Sequence, residues 1–114
     1  MKFKDIFLEN RKIETIMRRK FPEVRLVMSE TDKYVILKVL LIQKERRNKG
    51  EARAFMKDLI EICDKNNLDI YLTPSDVYDG DIKRLNKFYK SLGFVKNTTN
   101  VTNEALVRFH RSHL

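Results

Sequence analysis

The sequence predicts an α/β (α+β) fold: a mixed, mainly antiparallel sheet, splayed at one point, with helices on both faces. Three observations predict it. Residues 24–30 alternate apolar and polar side chains, and a polar turn joins them to a second, largely apolar run, as in a β-hairpin. A helical stripe then lies between two strand-like runs, and a second striped segment ends at a glycine before two more short strands. The composition agrees: 114 residues, 42% hydrophobic and 35% charged, with three glycines and two prolines, suit one core of modest size. A single domain over residues 1–114 is expected.

Taken in order, residues 5–20 place Ile6, Ile13, Ile16, Met17 and Phe21 near helical spacing among many charges, and Pro22 stops the pattern. "VRLVMSE" then alternates Val24, Leu26 and Met28 with polar neighbours, and Thr31, Asp32 and Lys33 supply the turn. The second arm, "YVILKVLLIQ", is apolar on both faces apart from Lys38, which predicts an interior strand at the centre of the sheet. Lys38 itself fits either the mouth of a cleft or a strand nearer the edge. Ala52, Phe55, Met56, Leu59, Ile60 and Cys63 form one helical face, closed by Asn66 and Asn67. "LDIYLT" follows as a strand parallel to the previous one, or splayed from it. From about residue 81 to 92, Ile82, Leu85, Phe88, Tyr89 and Leu92 point inward while Lys83, Arg84, Lys87 and Lys90 point outward, and Gly93 ends the helix. "FVKN" and "EALVRF" read as two strands joined by a polar loop.

Between the buried arm and the first striped helix lies "ERRNKGEA". A strand running through a basic turn into a helix aims the N-H groups of the first helical turn at the end of the sheet. Backbone amides and the positive end of the helix dipole favour an anion such as phosphate there. Gly50 allows close approach to the main chain, Asn48 tolerates a left-handed turn, and Arg47 and Lys49 add charge at the rim.

Arg47, Asn48, Lys49, Gly50, Glu51 and Ala52 spell R-x-x-G-x-A, which resembles the pyrophosphate-binding motif of the GNAT N-acetyltransferases. "LNKFYKSLGF" is similar to the later helix of that family, where a tyrosine precedes a Gly-Phe that opens a strand. The order of elements between them agrees, so the resemblance spans residues 24–109. It implies a sheet splayed between the strand ending at Gln43 and the strand 68–73, with acetyl-CoA as cosubstrate in the gap. Leu40, Leu41 and Ile42 would offer backbone groups to the pantetheine arm, with the Leu41 amide donating to the thioester oxygen. The amides from Arg47 to Ala52 would hold the pyrophosphate, and Tyr89 would protonate the departing thiolate. The implied activity is direct transfer of an acetyl group to an amine.

Two departures bear on this. Ile82 stands where many members carry an asparagine, and no carboxylate lies between Glu30 and Glu45 to serve as a strand-borne general base. Deprotonation would fall to water, to Asp76 or Asp79, or to no protein group. The alternative for Tyr89 is a core aromatic, and for Arg46, Arg47 and Lys49 a solvated turn.

The charge balance is 24 basic against 16 acidic residues, and residues 1–50 hold 14 of the former and 7 of the latter. That surplus favours an anionic partner. The expected acceptor is an amine on a small molecule, peptide or protein, and "PSDVYDG" is expected to line its site. The second reading is a non-catalytic module using Arg11, Lys12, Arg18, Arg19 and Lys20 to contact nucleic acid or an acidic protein. One cysteine excludes an intramolecular disulfide, no metal site is expected, and His110 and His113 lack ligating partners nearby. No apolar run is long enough to span a bilayer. A cytoplasmic protein without membrane contact is expected, and sheet edges this short leave dimer formation open.

Overall fold

The computed structural model describes residues 12–42, 50–74 and 82–111. Within them the order is α1 (Lys12–Lys20), β1 (Arg25–Glu30), β2 (Tyr34–Leu41), α2 (Glu51–Lys65), β3 (Asp69–Leu72), α3 (Ile82–Ser91), β4 (Val95–Lys96) and β5 (Leu106–Arg108). The strands form one mixed sheet in the order β1-β2-β3-β5-β4. Only β2 and β3 run parallel, from Tyr34 opposite Asp69 to Leu37 opposite Leu72; the other pairs are antiparallel. The predicted α+β class with a mixed sheet is the one observed.

The hairpin turn is fixed by Thr31, whose hydroxyl accepts hydrogen bonds from the amides of Lys33 (3.1 Å) and Tyr34 (3.0 Å). Along the hairpin the register slips once: Val27 faces Val39 but Met28 faces Leu37, so Lys38 is the extra residue of a β-bulge. A bulge changes which parity faces the core. Before it Val35 and Leu37 are buried; after it Leu40 packs against the core and Ile42 is buried, while Lys38 stands exposed. A strand that reads as apolar on both faces is therefore one whose single core face switches parity midway. β2 is interior, as expected, but it lies next to the edge strand; the centre of the sheet is β3.

The core lies between the sheet and the helices. Phe55, Met56, Leu59 and Cys63 of α2 have no exposed surface, and they meet Leu26, Val35, Ile70 and Leu72 of the sheet. Each such side chain contributes roughly 1.5–3 kcal/mol by leaving water. α1 packs on the same side: Met17 is fully buried, and the ring of Phe21, just past its end, meets Phe55 edge-on at 5.3 Å. Glu30 Oε1 accepts the amide of Ile13 (3.2 Å), which ties the first turn of α1 to the end of β1. α2 stops as predicted at Asn66 and Asn67, with Asn67 left-handed at φ 57° and the Leu68 amide returning to the carbonyl of Cys63.

α3 lies on this face too. Arg108 of β5 pairs with Asp64 of α2 and donates from Nε to the carbonyl of Leu92 at the end of α3 (3.1 Å), so one side chain touches both helices. Helices on both faces of the sheet were expected, but the three described helices share one face, because the core side chains of α1, α2 and α3 all meet the same side of the strands. Tyr71 and Val107, buried but outside the main core, lie on the other, where the described cover is the loop 97–105: the hydroxyl of Tyr71 is 3.4 Å from that of Thr99. Asn97 holds this loop, donating to the carbonyls of Glu104 (2.8 Å) and Thr102 (3.2 Å) and accepting from the amide of Thr99 (2.9 Å). On α3, Tyr89 is buried and Leu85, Phe88 and Leu92 pack against the core as expected, but Ile82 is 39% exposed. It begins the helix, where the inward stripe has run past the edge of the core. Among the described residues no helix is long and apolar enough to cross a membrane, and no group of His, Cys, Asp and Glu could hold a metal ion.

Candidate cofactor site

Pairing between β2 and β3 stops at Leu37 and Leu72, yet β2 continues to Leu41. The stretch 38–41 keeps its partner on the β1 side, through Leu26 opposite Leu40 and Arg25 opposite Leu41. On the β3 side it has no strand partner among the described residues. This is the predicted opening, at the carboxyl ends of the two parallel strands, where open α/β sheets bind ligands. Leu40 and Leu41 are half-buried here and Ile42 is buried.

The helix that follows begins at Gly50, which takes φ 78° and ψ 5°. Left-handed backbone suits glycine because a Cβ there crowds the following carbonyl. Among the described residues nothing lies within 4 Å of the position a Cβ would occupy, and Gly50 is exposed. The Ala54 amide donates to the Gly50 carbonyl (2.9 Å), which starts the helical ladder; amides before the fourth have no acceptor within a helix. Glu51 and Ala52 are half-buried in this first turn, and Glu51 sits where an acid complements the helix dipole. Arg47, Asn48 and Lys49 lie outside the described residues, as do Arg46, Asp76 and Asp79.

An open groove of about 400 Å³ runs beside the helix start on the α1 side, lined by Lys20, Phe21, Pro22, Glu23, Gly50, Glu51 and Ala54. Lys20 is shared with Asp58 at 3.3 Å. With Glu23 and Glu51 at its wall the groove does not suit an anion.

Tyr89 stands on the core-facing side of α3, its ring edge-on to Phe88 (5.2 Å) and Phe94 (5.6 Å). Burial pushes its phenol pKa above the usual 10.0, so the group stays protonated throughout the neutral range. Ile42, Tyr89 and Phe94 belong to one continuous core, and Leu40 and Ala52 pack against it. That shared packing joins the strand end, the helix start and the tyrosine helix. α2 and α3 are also linked at the surface, where the Arg53 guanidinium lies 5.2 Å from the centre of the Phe88 ring.

The residues that sequence reasoning passed over are polar ones with distant partners. Asp64 and Arg108 form a buried ion pair, and Thr73 at the end of β3 donates to Glu104 (3.0 Å) while accepting the amide of Ala105 (3.0 Å). A signal existed for the first: Asp64 is four residues beyond Ile60, on the inward stripe of its helix, and Arg108 interrupts an apolar run. Cys63, read as a core residue, is one; burial first, and then the Glu30 and Asp64 carboxylates, push its thiol up to about 12 against the opposing pull of Arg108. His110 is 2.7 Å from Asp69, an exposed pair distant in the sheet from the opening, at the start of β3. In the N-terminal helix, Arg18 bonds to Glu14 and to the carbonyl of Leu26, and Lys20 pairs with Asp58, so two of the cations assigned there to a binding role serve the fold.

No family model matches the sequence, and no curated protein matches it. Among solved structures the chain is similar to Ard1 from Thermoplasma volcanium, with a TM-score of 0.54 at 16% identity, over 87% of this chain and 78% of that one. At that identity the likeness shows the fold alone, and the fold is GNAT-like.

Proposed function

We propose that the protein is an acetyl-CoA-dependent N-acetyltransferase that moves an acetyl group directly from CoA to an amine. One observation carries the reading: the parallel pair β2 and β3 parts just where a strand feeds, through a left-handed glycine open to solvent, into the start of α2. The GNAT-like fold supports it at the level of architecture.

In this reading acetyl-CoA is a substrate and supplies the thioester. The amides of Arg47, Asn48, Lys49, Gly50, Glu51 and Ala52 hold its pyrophosphate, since unpaired N-H groups at a helix start favour a doubly charged group. Leu40, Leu41 and Ile42 line the pantetheine arm, and the Leu41 amide donates to the carbonyl oxygen as it gains charge. The acceptor amine attacks as the free base, the C–S bond breaks, and Tyr89 gives its proton to the thiolate. A phenol held protonated by burial is suited to that step, and the amine's own excess proton passes to water.

The test is calorimetric titration of acetyl-CoA into the wild-type protein and a Gly50→Trp variant. Binding by the first and none by a folded variant supports the reading. A wild-type protein that does not bind acetyl-CoA overturns it.

A further inference from the structure

The sheet has a second face, and it too is apolar. One row crosses all five strands: Ser29 lies opposite Ile36, Ile36 opposite Tyr71, Tyr71 opposite Val107, and Val107 opposite Val95. These side chains point away from the three described helices, because their chain neighbours Met28, Leu37, Ile70 and Leu106 are in the core. Val27, opposite Val39, shares that face, as does Phe109, next to Arg108 whose guanidinium goes to α2. Five large hydrophobic residues are exposed among those described, and four belong here: Val27, Val95 and Phe109 on or beside the strands, and Val101 on the loop 97–105. Scattered singly, such residues need no explanation; gathered on one side, they mark an interaction surface.

Shape limits what can lie there. The hydroxyls of Tyr71 and Thr99 are 3.4 Å apart, so the loop that joins β4 to β5 stands a full tyrosine side chain above the strands. It covers the middle of the row and leaves an apolar belt from Val27 over Ile36 and Tyr34 to Phe109 and Val95. Tyr34 belongs to it because its ring meets that of Tyr71 edge-on at 5.4 Å. Thr98, Asn100 and Asn103, exposed on the loop, would meet a flat bilayer before the belt did. A rod passes beside them. From β1 to β4 is four strand spacings, about 19 Å, and a helix of about 13 residues is that long.

Charge selects the partner. Arg25, two residues before Val27, and Lys38, the bulge residue beside Val39, are exposed at the β1–β2 end of the belt. Neither forms an ion pair among the described residues, whereas Asp69, the acid on this face, is taken up by His110. Exposed cations such as Lys87 and Lys90 occur elsewhere; these two border the belt, which joins charge to apolar burial in one place. A second copy of a chain with net charge +8 would bring Arg25 and Lys38 against their own kind. An acidic partner meets no such repulsion. We infer that this face docks an amphipathic helix of a partner protein, its apolar stripe on the belt and its carboxylates at the end that meets Arg25 and Lys38. The inference stands apart from acetyl transfer.

The experiment titrates a labelled synthetic helix, with leucines along one face and glutamates at one end, into the full chain. Anisotropy reads affinity, and amide spectra of isotopically labelled protein read the place. Shifts centred on Val27, Ile36, Val95 and Phe109 are expected. A Val27→Ser, Val95→Ser double variant should bind about tenfold more weakly. Arg25→Glu with Lys38→Glu should also weaken binding, by about tenfold. The same reversal at Lys87 and Lys90, exposed on α3, should leave affinity within about twofold at physiological salt. All six side chains are exposed, and an unchanged urea midpoint confirms that each variant folds. No binding, shifts on the helix side of the sheet, or an equal loss in the α3 control overturns the inference. So does self-association of the free chain through these residues, which would give the face to a second copy. Capture of the chain by phosphatidylserine vesicles through the same residues would give it to a membrane, and displacement of the synthetic helix by a peptide of residues 1–11 would give it to the chain's own start; either result also overturns the inference.

Discussion

Asp64 and Arg108 meet in a two-pronged, buried ion pair, with Nη1 2.7 Å from Oδ1 and Nη2 3.2 Å from Oδ2. The amide of Arg111 also donates to Asp64 Oδ1, at 3.1 Å, so the carboxylate gathers the end of the sheet onto α2. Removing one partner leaves a charge without its counterpart in the core. Asp64→Ala or Arg108→Ala should each lower the unfolding free energy by about 3–5 kcal/mol. An Asp64→Leu, Arg108→Met double variant should lose less than the two single losses added together. Urea unfolding of the four proteins checks both statements.

Gly50 and Gly93, the left-handed glycines among the described residues, should respond unequally to the same substitution. At Gly50 a new Cβ meets nothing within 4 Å among the described residues, so Gly50→Ala should cost mainly its backbone strain, about 1 kcal/mol. At Gly93, φ is 97° and a Cβ would lie 3.0 Å from Arg111 Nη2 and 3.3 Å from Arg108 Nε, the latter already held by Leu92 and Asp64. Gly93→Ala should therefore cost more, about 2 kcal/mol or above. Thermal midpoints of the pair give the order directly.

Cys63 makes a prediction in pH. Its thiol ordinarily ionises near 9.0 and is pushed up to about 12 in the fold. Below pH 9 both folded and unfolded chains carry the proton, and this group leaves stability unchanged. Between 9 and 12 the unfolded chain releases it first, so stability falls as pH rises, by up to about 1.4 kcal/mol per unit. Cys63→Ala should start from lower stability, because it loses buried volume, yet show a shallower alkaline decline. The native thiol should also resist alkylation at pH 8 and react at once in urea.

The bulge at Lys38 separates a side-chain effect from a backbone one. Because Lys38 is exposed, Lys38→Gln should change stability by no more than about 0.5 kcal/mol. Deleting the residue removes the parity switch and turns either Leu40 and Ile42 or Val35 and Leu37 out of the core. Loss of cooperative unfolding in that variant is the expected result, read by circular dichroism.

Tyr89→Phe keeps the ring and removes the proton. In the proposed reaction the change should leave acetyl-CoA affinity within about twofold and lower turnover by about 10²-fold. Turnover equal to wild type would return Tyr89 to the role of a core aromatic.

What was legible in the sequence followed from periodicity. Alternation exposed the hairpin, and the stripe from Ala52 to Cys63 exposed α2, because burial of one face leaves a repeat that needs no knowledge of the partner. Gly50 was legible for a local reason, since a glycine between a basic turn and a helix marks a backbone conformation. Long-range polar pairing was not. Asp64 and Arg108 are 44 residues apart, and nothing in either neighbourhood names the other. The bulge escaped for a related cause: it is a property of two strands in register, and β2 alone shows only that both parities are apolar. Asn97 escaped because a loop asparagine looks solvated until its three carbonyl and amide partners are in place.

β5 follows β4 in the chain but lies between β4 and β3 in the sheet. During synthesis the hairpin, α2 and β3 all emerge before Leu106 does, and throughout that interval β3 has a bare edge and Asp64 lacks its guanidinium. A nascent chain halted before residue 108 would hold a half-built sheet whose open edge invites pairing with a neighbour. Completion of the core therefore waits for a strand of three residues, and the order in which this molecule is made differs from the order in which it is stacked.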